Sequence, residues 1–172
     1  VQPTNPPADQ NYLELFFIVD AVKRSGAKSA IVVMPYIGYQ RQDHIFREGE
    51  AVSLEVVLKT LEAAGASAMI VFDLHSIKTA QMTRIPLTHL SALGLFSEEI
   101  KKRRLEKDAM LISPDMGGIR RVRLVSEMLG NMVFGAIEKH RDLATGDVAA
   151  SEIKELTGQL AQRAIIVDDM IS

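Results

Sequence analysis

The sequence predicts an α/β protein with parallel sheets flanked by helices, and three observations lead there. Short β-branched runs recur along the chain, segments with apolar spacings of three and four lie between them, and polar or acidic residues follow almost every run. Such alternation marks strands buried in a parallel sheet and joined by crossover helices. The 172 residues, 47% of them hydrophobic, suffice for one full domain of this class or for parts of two smaller ones.

Taken in order, Asp9 is placed as the N-cap of a helix running through Leu13, Phe16, Phe17 and Val19 to Ala21, which Gly26 ends in a left-handed conformation. Ala30 to Met34, closed by Pro35, reads as a strand buried on both faces. Ser53 is placed as the cap of a helix through Val56, Val57, Leu58 and Leu61 that stops at Gly65. Ala68 to Phe72 is the second buried strand. Arg84 to Ser97 holds Ile-Pro and isolated leucines without periodicity, and a domain crossing is expected there. A charged helix follows from Ser97 to Glu106, then a strand at Met110 to Ser113. Ile119 to Leu129 reads as a helix ended by Gly130, and Met132 to Ile137 as another apolar strand. Val148 to Ile153 and Ala164 to Val167 are further strand candidates.

An internal echo suggests two related halves. AIVVMPYIGY is followed by MIVFDLHS, and AMLISPDMGG is followed by AIIVDDMIS. Each half pairs a strand ending in a Pro- and Gly-bearing loop with a strand ending in Asp.

Composition removes several classes of function. Twenty Lys and Arg against 22 Asp and Glu, a net charge of −2, give no basic excess for nucleic acid or a membrane surface, so small molecules or further copies of the chain are the expected partners. With no cysteine, disulfides and thiolate metal sites are excluded, and any metal must be held by oxygen or imidazole. This fits a reducing cytosol. The longest apolar runs fall well short of the ~20 residues a membrane span needs, and no signal peptide is visible. Val1 is not an initiator methionine, so a preceding N-terminal segment is expected.

In open parallel sheets, ligands bind beyond the carboxyl ends of the strands. Four such ends carry chemistry: Tyr39-Gln-Arg-Gln-Asp43, Asp73-Leu-His75, Ser113-Pro-Asp-Met-Gly-Gly118 and Val167-Asp-Asp-Met-Ile-Ser172. Asp168 and Asp169 place adjacent carboxylates on a turn where they can hold sugar hydroxyls or a hydrated Mg²⁺. Taken alone, such a pair reads better as a cap for the next helix. A histidine at a strand end is, alone, more often structural, a Pro-Asp turn commonly opens a helix, and an exposed Glu138-Lys-His-Arg141 run is usually a solvated surface.

Together these segments resemble the ribose-phosphate diphosphokinase family. VDDMIS looks like the opening of the phosphoribosyl diphosphate motif shared with type I phosphoribosyltransferases. In those families a Thr- and Gly-rich turn follows and cradles ribose 5-phosphate through its N–H groups. The chain stops at Ser172, before that turn, so little or no catalysis is expected from it alone. Pro35-Tyr-x-Gly-Tyr-x-Arg-Gln-Asp43 resembles the diphosphokinase ATP segment, and Phe46-Arg-Glu-Gly-Glu-Ala-Val-Ser53 its continuation in archaeal members. Phosphoribosyltransferases lack this string. The resemblance runs in order from VQPTNPPADQNYLEL to VDDMIS. It departs at Ile77 to Arg84, which read IKTAQMTR where the family has a Gln-rich turn and Gly-Phe-Phe.

The resemblance implies two phosphoribosyltransferase-like domains, each only partly present: 1–88 as the later part of the first, on the ATP side, and 89–172 as the earlier part of the second, on the ribose 5-phosphate side. It implies that Arg41, Gln42 and Asp43 contact the nucleotide, with Arg41 foremost because a guanidinium can face both phosphate and a purine plane. His75 would lie at the triphosphate and its Mg²⁺, as a ligand or a hydrogen-bond donor, and Asp115 would bind a second Mg²⁺ or order the ribose site. Asp168 and Asp169 would hold the ribose hydroxyls, and Lys139, with Arg141 second, would be catalytic. The implied reaction moves a diphosphate from Mg-ATP to the anomeric hydroxyl of ribose 5-phosphate, in a cytoplasmic homo-oligomer with a shared ATP site. The alternatives are a non-catalytic regulatory relative that assembles with an active diphosphokinase and, third, a phosphoribosyltransferase.

Overall fold

The computed structural model describes residues 4, 6–141, 148–154 and 156–169, with residues 77, 139–141 and 148–152 followed through the backbone alone. The chain forms two compact units, Val1–Ser91 and Ala92–Ser172. A strand that the sequence reading did not foresee, Leu87–Leu90, closes the first unit.

In the first unit α1 (Ala8–Arg24) precedes β1 (Ile31–Met34), α2 (Ser53–Ala63), β2 (Ala68–Phe72) and β3 (Leu87–Leu90). The three strands form a parallel sheet in the order β1-β2-β3, with Met34 opposite Val71 and Phe72 opposite Leu90. This register brings the carboxyl ends of the strands to one edge. The core beneath is built from Met34, Ile37, Leu54, Leu58, Leu61, Met69 and Val71, with Tyr12 and Val19 from α1. Burying each large aliphatic side chain contributes about 1.5–3 kcal/mol.

Three local expectations are corrected here. Asp9 lies inside the first turn of α1, and Pro7 occupies the cap. Its carboxylate therefore meets the helix dipole instead of capping it. Ser53 is the first residue of α2 and makes no side-chain cap; the Leu54 N–H instead donates to the Gln42 carbonyl at 3.2 Å. A loop carbonyl thus satisfies a donor that a serine usually takes. Strand β1 is buried on one face only, with Ile31 and Val33 exposed.

In the second unit α3 (Leu93–Lys102), β4 (Ala109–Ser113), α4 (Ile119–Met128), β5 (Phe134–Arg141), β6 (Val148–Lys154) and β7 (Arg163–Ile166) follow. The sheet order is β6-β5-β4-β7. Strands β5 and β7 run parallel to β4, whereas β6 is antiparallel to β5 with an irregularity between Glu138 and Lys139. Leu93, Ile100, Leu111, Val122, Val125, Phe134 and Val167 form the core.

Helix α3 begins and ends four residues earlier than the expected charged helix, because Leu93 and Ile100 are its buried anchors. Ser97 is itself buried and donates back to the Leu93 carbonyl at 2.8 Å. The Glu138–Arg141 run does not follow a strand, as expected, but lies on β5, because pairing with β6 prolongs the ladder through Arg141. Glycines 26, 65 and 130 all take positive φ where their helices end. Among the described residues no helix is long and apolar enough to cross a membrane.

Candidate functional site

Each unit carries its polar residues at the carboxyl edge of its sheet. In the first unit the loop after β1 turns through Tyr39, whose φ is 64°, and is closed by the Gln42 N–H donating to the Tyr39 carbonyl at 2.8 Å. From below, Tyr12 Oη donates to the Gly38 carbonyl at 3.1 Å, and its ring stacks on Tyr39. Burial pushes the Tyr12 phenol far up, so it stays a neutral donor. A side chain at Gly38 would collide with the Thr4 carbonyl, which explains the glycine.

Arg41 and Gln42 are exposed on this loop, and Asp43 is half-buried. Asp43 Oδ1 lies 2.6 Å from His44 Nδ1, and the His44 ring packs against Phe46 with centroids 3.9 Å apart. Glu50 accepts the N–H groups of both Phe46 and Arg47, which turns the loop back toward α2. His75 is exposed just beyond β2, and its N–H donates to Gln40 Oε1 at 3.3 Å. Arg41–Asp43 and His75 are thus brought to one edge, linked by a glutamine that carries no family signature.

In the second unit the loop after β4 is a short 3-10 turn, Met116–Gly118, capped by Asp115, whose Oδ1 accepts the Gly118 N–H at 3.1 Å. Ser113, fully buried, donates to the Asp115 carbonyl at 2.6 Å. Asp168 and Asp169 follow β7, the neighbour of β4, and Arg121 of α4 spans both. Its Nη1 is 3.3 Å from Asp168 Oδ1, and its Nη2 is 3.4 Å from Asp169 Oδ1. Burial, then the adjacent Asp169 carboxyl, raises the Asp168 pKa above the ordinary value, and Arg121 opposes this. The resulting edge offers carboxylate acceptors beside a cation, a pattern suited to vicinal hydroxyls.

Lys139 and Arg141 lie on β5, opposite Ala150 and Val148 of β6; the description stops at their backbone. Ala136, three residues before Lys139, pairs with Ser113, two residues before Asp115, so this basic run continues β5 past the carboxyl end of β4, the end that Asp115 follows. Among the described residues no group of three or more His, Asp and Glu side chains converges as a metal cage. A Mg²⁺ bound here would have to draw most of its shell from substrate oxygens and water, as that ion commonly does.

A sequence profile of the N-terminal domain of ribose phosphate pyrophosphokinase fits residues 1–65. Ribose-phosphate pyrophosphokinase 1 of Listeria monocytogenes is 35% identical over 172 residues, which takes in 99% of this chain and 52% of the relative. Over nearly its whole length the chain is similar to ribose-phosphate pyrophosphokinases. The Thermotoga maritima ribose-phosphate pyrophosphokinase is 34% identical over 174 residues, covering 99% of this chain and 54% of its own. The chain therefore spans about half the length of the curated pyrophosphokinases it matches. A crystal structure of phosphoribosylpyrophosphate synthetase from Mycobacterium smegmatis matches 82% of the chain at a TM-score of 0.75 and 30% identity, over 47% of its own length.

Sequence reasoning passed over Gln40, His89, Ser91 and Arg121. Nothing local distinguishes the first three. Arg121 sits among Arg120 and Arg123 on α4, and its place over the acidic pair follows from the packing of α4 against the sheet. The divergent Ile77–Met82 stretch forms a 3-10 helix whose Thr79 is buried and hydrogen-bonded to the Ser76 carbonyl.

Proposed function

We propose that this chain is the central part of a ribose-phosphate diphosphokinase, which transfers the diphosphate of Mg-ATP to the anomeric hydroxyl of ribose 5-phosphate and releases AMP. The observation that carries the reading is the gathering of the SPDMGG loop and the Arg121-bound Asp168–Asp169 pair at one sheet edge, in a chain related end to end to pyrophosphokinases.

The first unit takes the nucleotide, with Arg41, Gln42, Asp43 and His75 around the phosphates. The second takes ribose 5-phosphate, with Asp168 and Asp169 on the hydroxyls and Asp115 at the loop. Lys139 and Arg141 supply positive charge to the diphosphoryl group as its charge redistributes in an in-line displacement. Positioning and charge neutralisation suffice, since no covalent intermediate is required. His75 and Asp115 each offer one donor to Mg²⁺, which when bound neutralises phosphate charge. The reading carries with it a cytoplasmic homo-oligomer with a shared ATP site.

The test is AMP release from Mg-ATP by the full-length protein, with and without ribose 5-phosphate, beside a Lys139→Ala variant. AMP formation that depends on ribose 5-phosphate and collapses in the variant is the expected result. A folded full-length protein that binds ATP yet forms no AMP would instead be a regulatory relative.

A further inference from the structure

The turn that carries His75 is held by side chains to which the sequence motifs assign no role. Asp73 leaves β2 with φ of 42°, a left-handed conformation that is costly for a non-glycine residue and persists only where its surroundings impose it. The surroundings here are specific. The Asp73 N–H donates to the Leu90 carbonyl at 3.0 Å, and Ser91 Oγ donates to Asp73 Oδ1 at 3.2 Å. The Leu74 N–H donates to His89 Nε2 at 3.3 Å, and the His75 N–H to Gln40 Oε1 at 3.3 Å. Successive backbone donors at 73, 74 and 75 are thus each given an acceptor, one from a strand carbonyl and two from side chains.

Gln40 is 3% exposed, and a buried amide without a partner is costly, so its acceptor has a defined place. It also directly precedes Arg41. One residue therefore begins the Arg41–Asp43 loop and ends on the His75 backbone, 35 positions away. His89, an exposed residue of the edge strand β3, performs the same service through its ring nitrogen. Because its Nε2 accepts, the ring proton of the neutral imidazole is on Nδ1.

We propose that Gln40 and His89 are positioning residues that lock the Asp73–His75 turn in register with the Arg41–Asp43 loop, so that both present themselves together to the polyphosphate of a nucleotide. Neither touches the substrate; each acts through the backbone of the turn. The proposal rests on the diphosphokinase reading for the identity of the ligand, and on the hydrogen bonds above for the mechanical claim.

Full-length protein is used in both arms of the test. In the first, KM for Mg-ATP and for ribose 5-phosphate are measured for wild type, Gln40→Leu, Gln40→Glu and His89→Ala. Gln40→Leu and His89→Ala should raise KM for Mg-ATP roughly tenfold, as expected for loss of one constraining hydrogen bond, with KM for ribose 5-phosphate within about twofold of wild type. Gln40→Glu keeps the acceptor and should recover most of the loss. In the second arm, hydrogen exchange is followed at the Leu74 and His75 amides. His89→Ala should speed exchange at Leu74, Gln40→Leu should speed it at His75, and Gln40→Glu should slow it again at His75.

Unchanged KM for Mg-ATP with unchanged exchange overturns the proposal. So does an equal loss toward both substrates that Gln40→Glu fails to recover, which marks a merely structural role. Wild-type protein that makes no AMP would sink the diphosphokinase reading alone; the exchange arm then decides the positioning claim without turnover.

Discussion

Arg121 Nη1 stands 3.3 Å from Asp168 Oδ1, and the second nitrogen of the same guanidinium stands 3.4 Å from Asp169 Oδ1. The three side chains are 28% exposed or less, so solvent screens the pairing only in part. A single fork on α4 thereby fixes the orientation of both carboxylates before any ligand arrives.

On the proposed diphosphokinase reading, removing that fork should misplace the acidic pair without touching the Arg41–Asp43 and Asp73–His75 segments. Arg121→Ala is expected to raise KM for ribose 5-phosphate by roughly tenfold to a hundredfold, corresponding to about 1.5–3 kcal/mol for a hydrogen bond to a charged group. KM for ATP should hold. Arg121→Lys restores charge without the bidentate geometry and should fall between the two. Equal increases toward both substrates would show that Arg121 acts on the whole fold instead.

Asp168 is held above the ordinary carboxylate range, first by burial and then by Asp169. The folded chain therefore binds this proton more tightly than the unfolded chain. Its contribution to stability is fully present below the unfolded aspartate pKa and is lost as pH rises through the folded value. Asp168→Asn has no such proton to lose, so its melting temperature, followed from about pH 3 to pH 8, should gain on wild type as pH rises across that window. A constant difference between the two proteins would contradict the assignment.

A Cβ at Gly118 would collide with Ser113 Oγ. Gly118→Ala is expected to destabilise the second unit by about 1–3 kcal/mol, as overpacking of a closed site does. Adding Ser113→Ala removes the opposing oxygen and should recover part of that loss in denaturant unfolding. A double variant less stable than Gly118→Ala alone would mean that the Ser113 hydrogen bond to the Asp115 carbonyl outweighs the clash.

The segment that departs from the family pattern is tied down by Thr79, 1% exposed, whose Oγ1 donates to the Ser76 carbonyl at 2.7 Å. Thr79→Val keeps the volume and loses the bond. A destabilisation of about 1 kcal/mol with kcat unchanged is expected in the full-length protein. A fall in kcat at unchanged stability would assign this segment to the chemistry.

The strands with unbroken aliphatic runs, β1, β2 and β4, and the helices with clean three-and-four spacing, α1, α2 and α4, were legible because burial selects apolar residues at positions set by local geometry, continuously in the strands and periodically in the helices. The strand-end positions of Asp73, His75, Asp115 and Asp168 followed from the same reading, since a polar residue after a buried run must leave the sheet. Strand β3 was not legible: with Thr88, His89 and Leu90 exposed at the sheet edge, it carries no apolar period. Neither the caps nor the contacts of Gln40, His89 and Arg121 could be read locally. Helix α2 begins at Ser53 with the Leu54 N–H taken by the Gln42 carbonyl, and Arg121 meets Asp168 across 47 positions. The sequence alone determined which segments become strands and helices and which polar residues stand at their ends, because those depend on neighbours a few residues away. Only the tertiary structure decided which side chains hold those residues in place, because hydrogen bonds and ion pairs form between groups that folding, not sequence order, brings within reach.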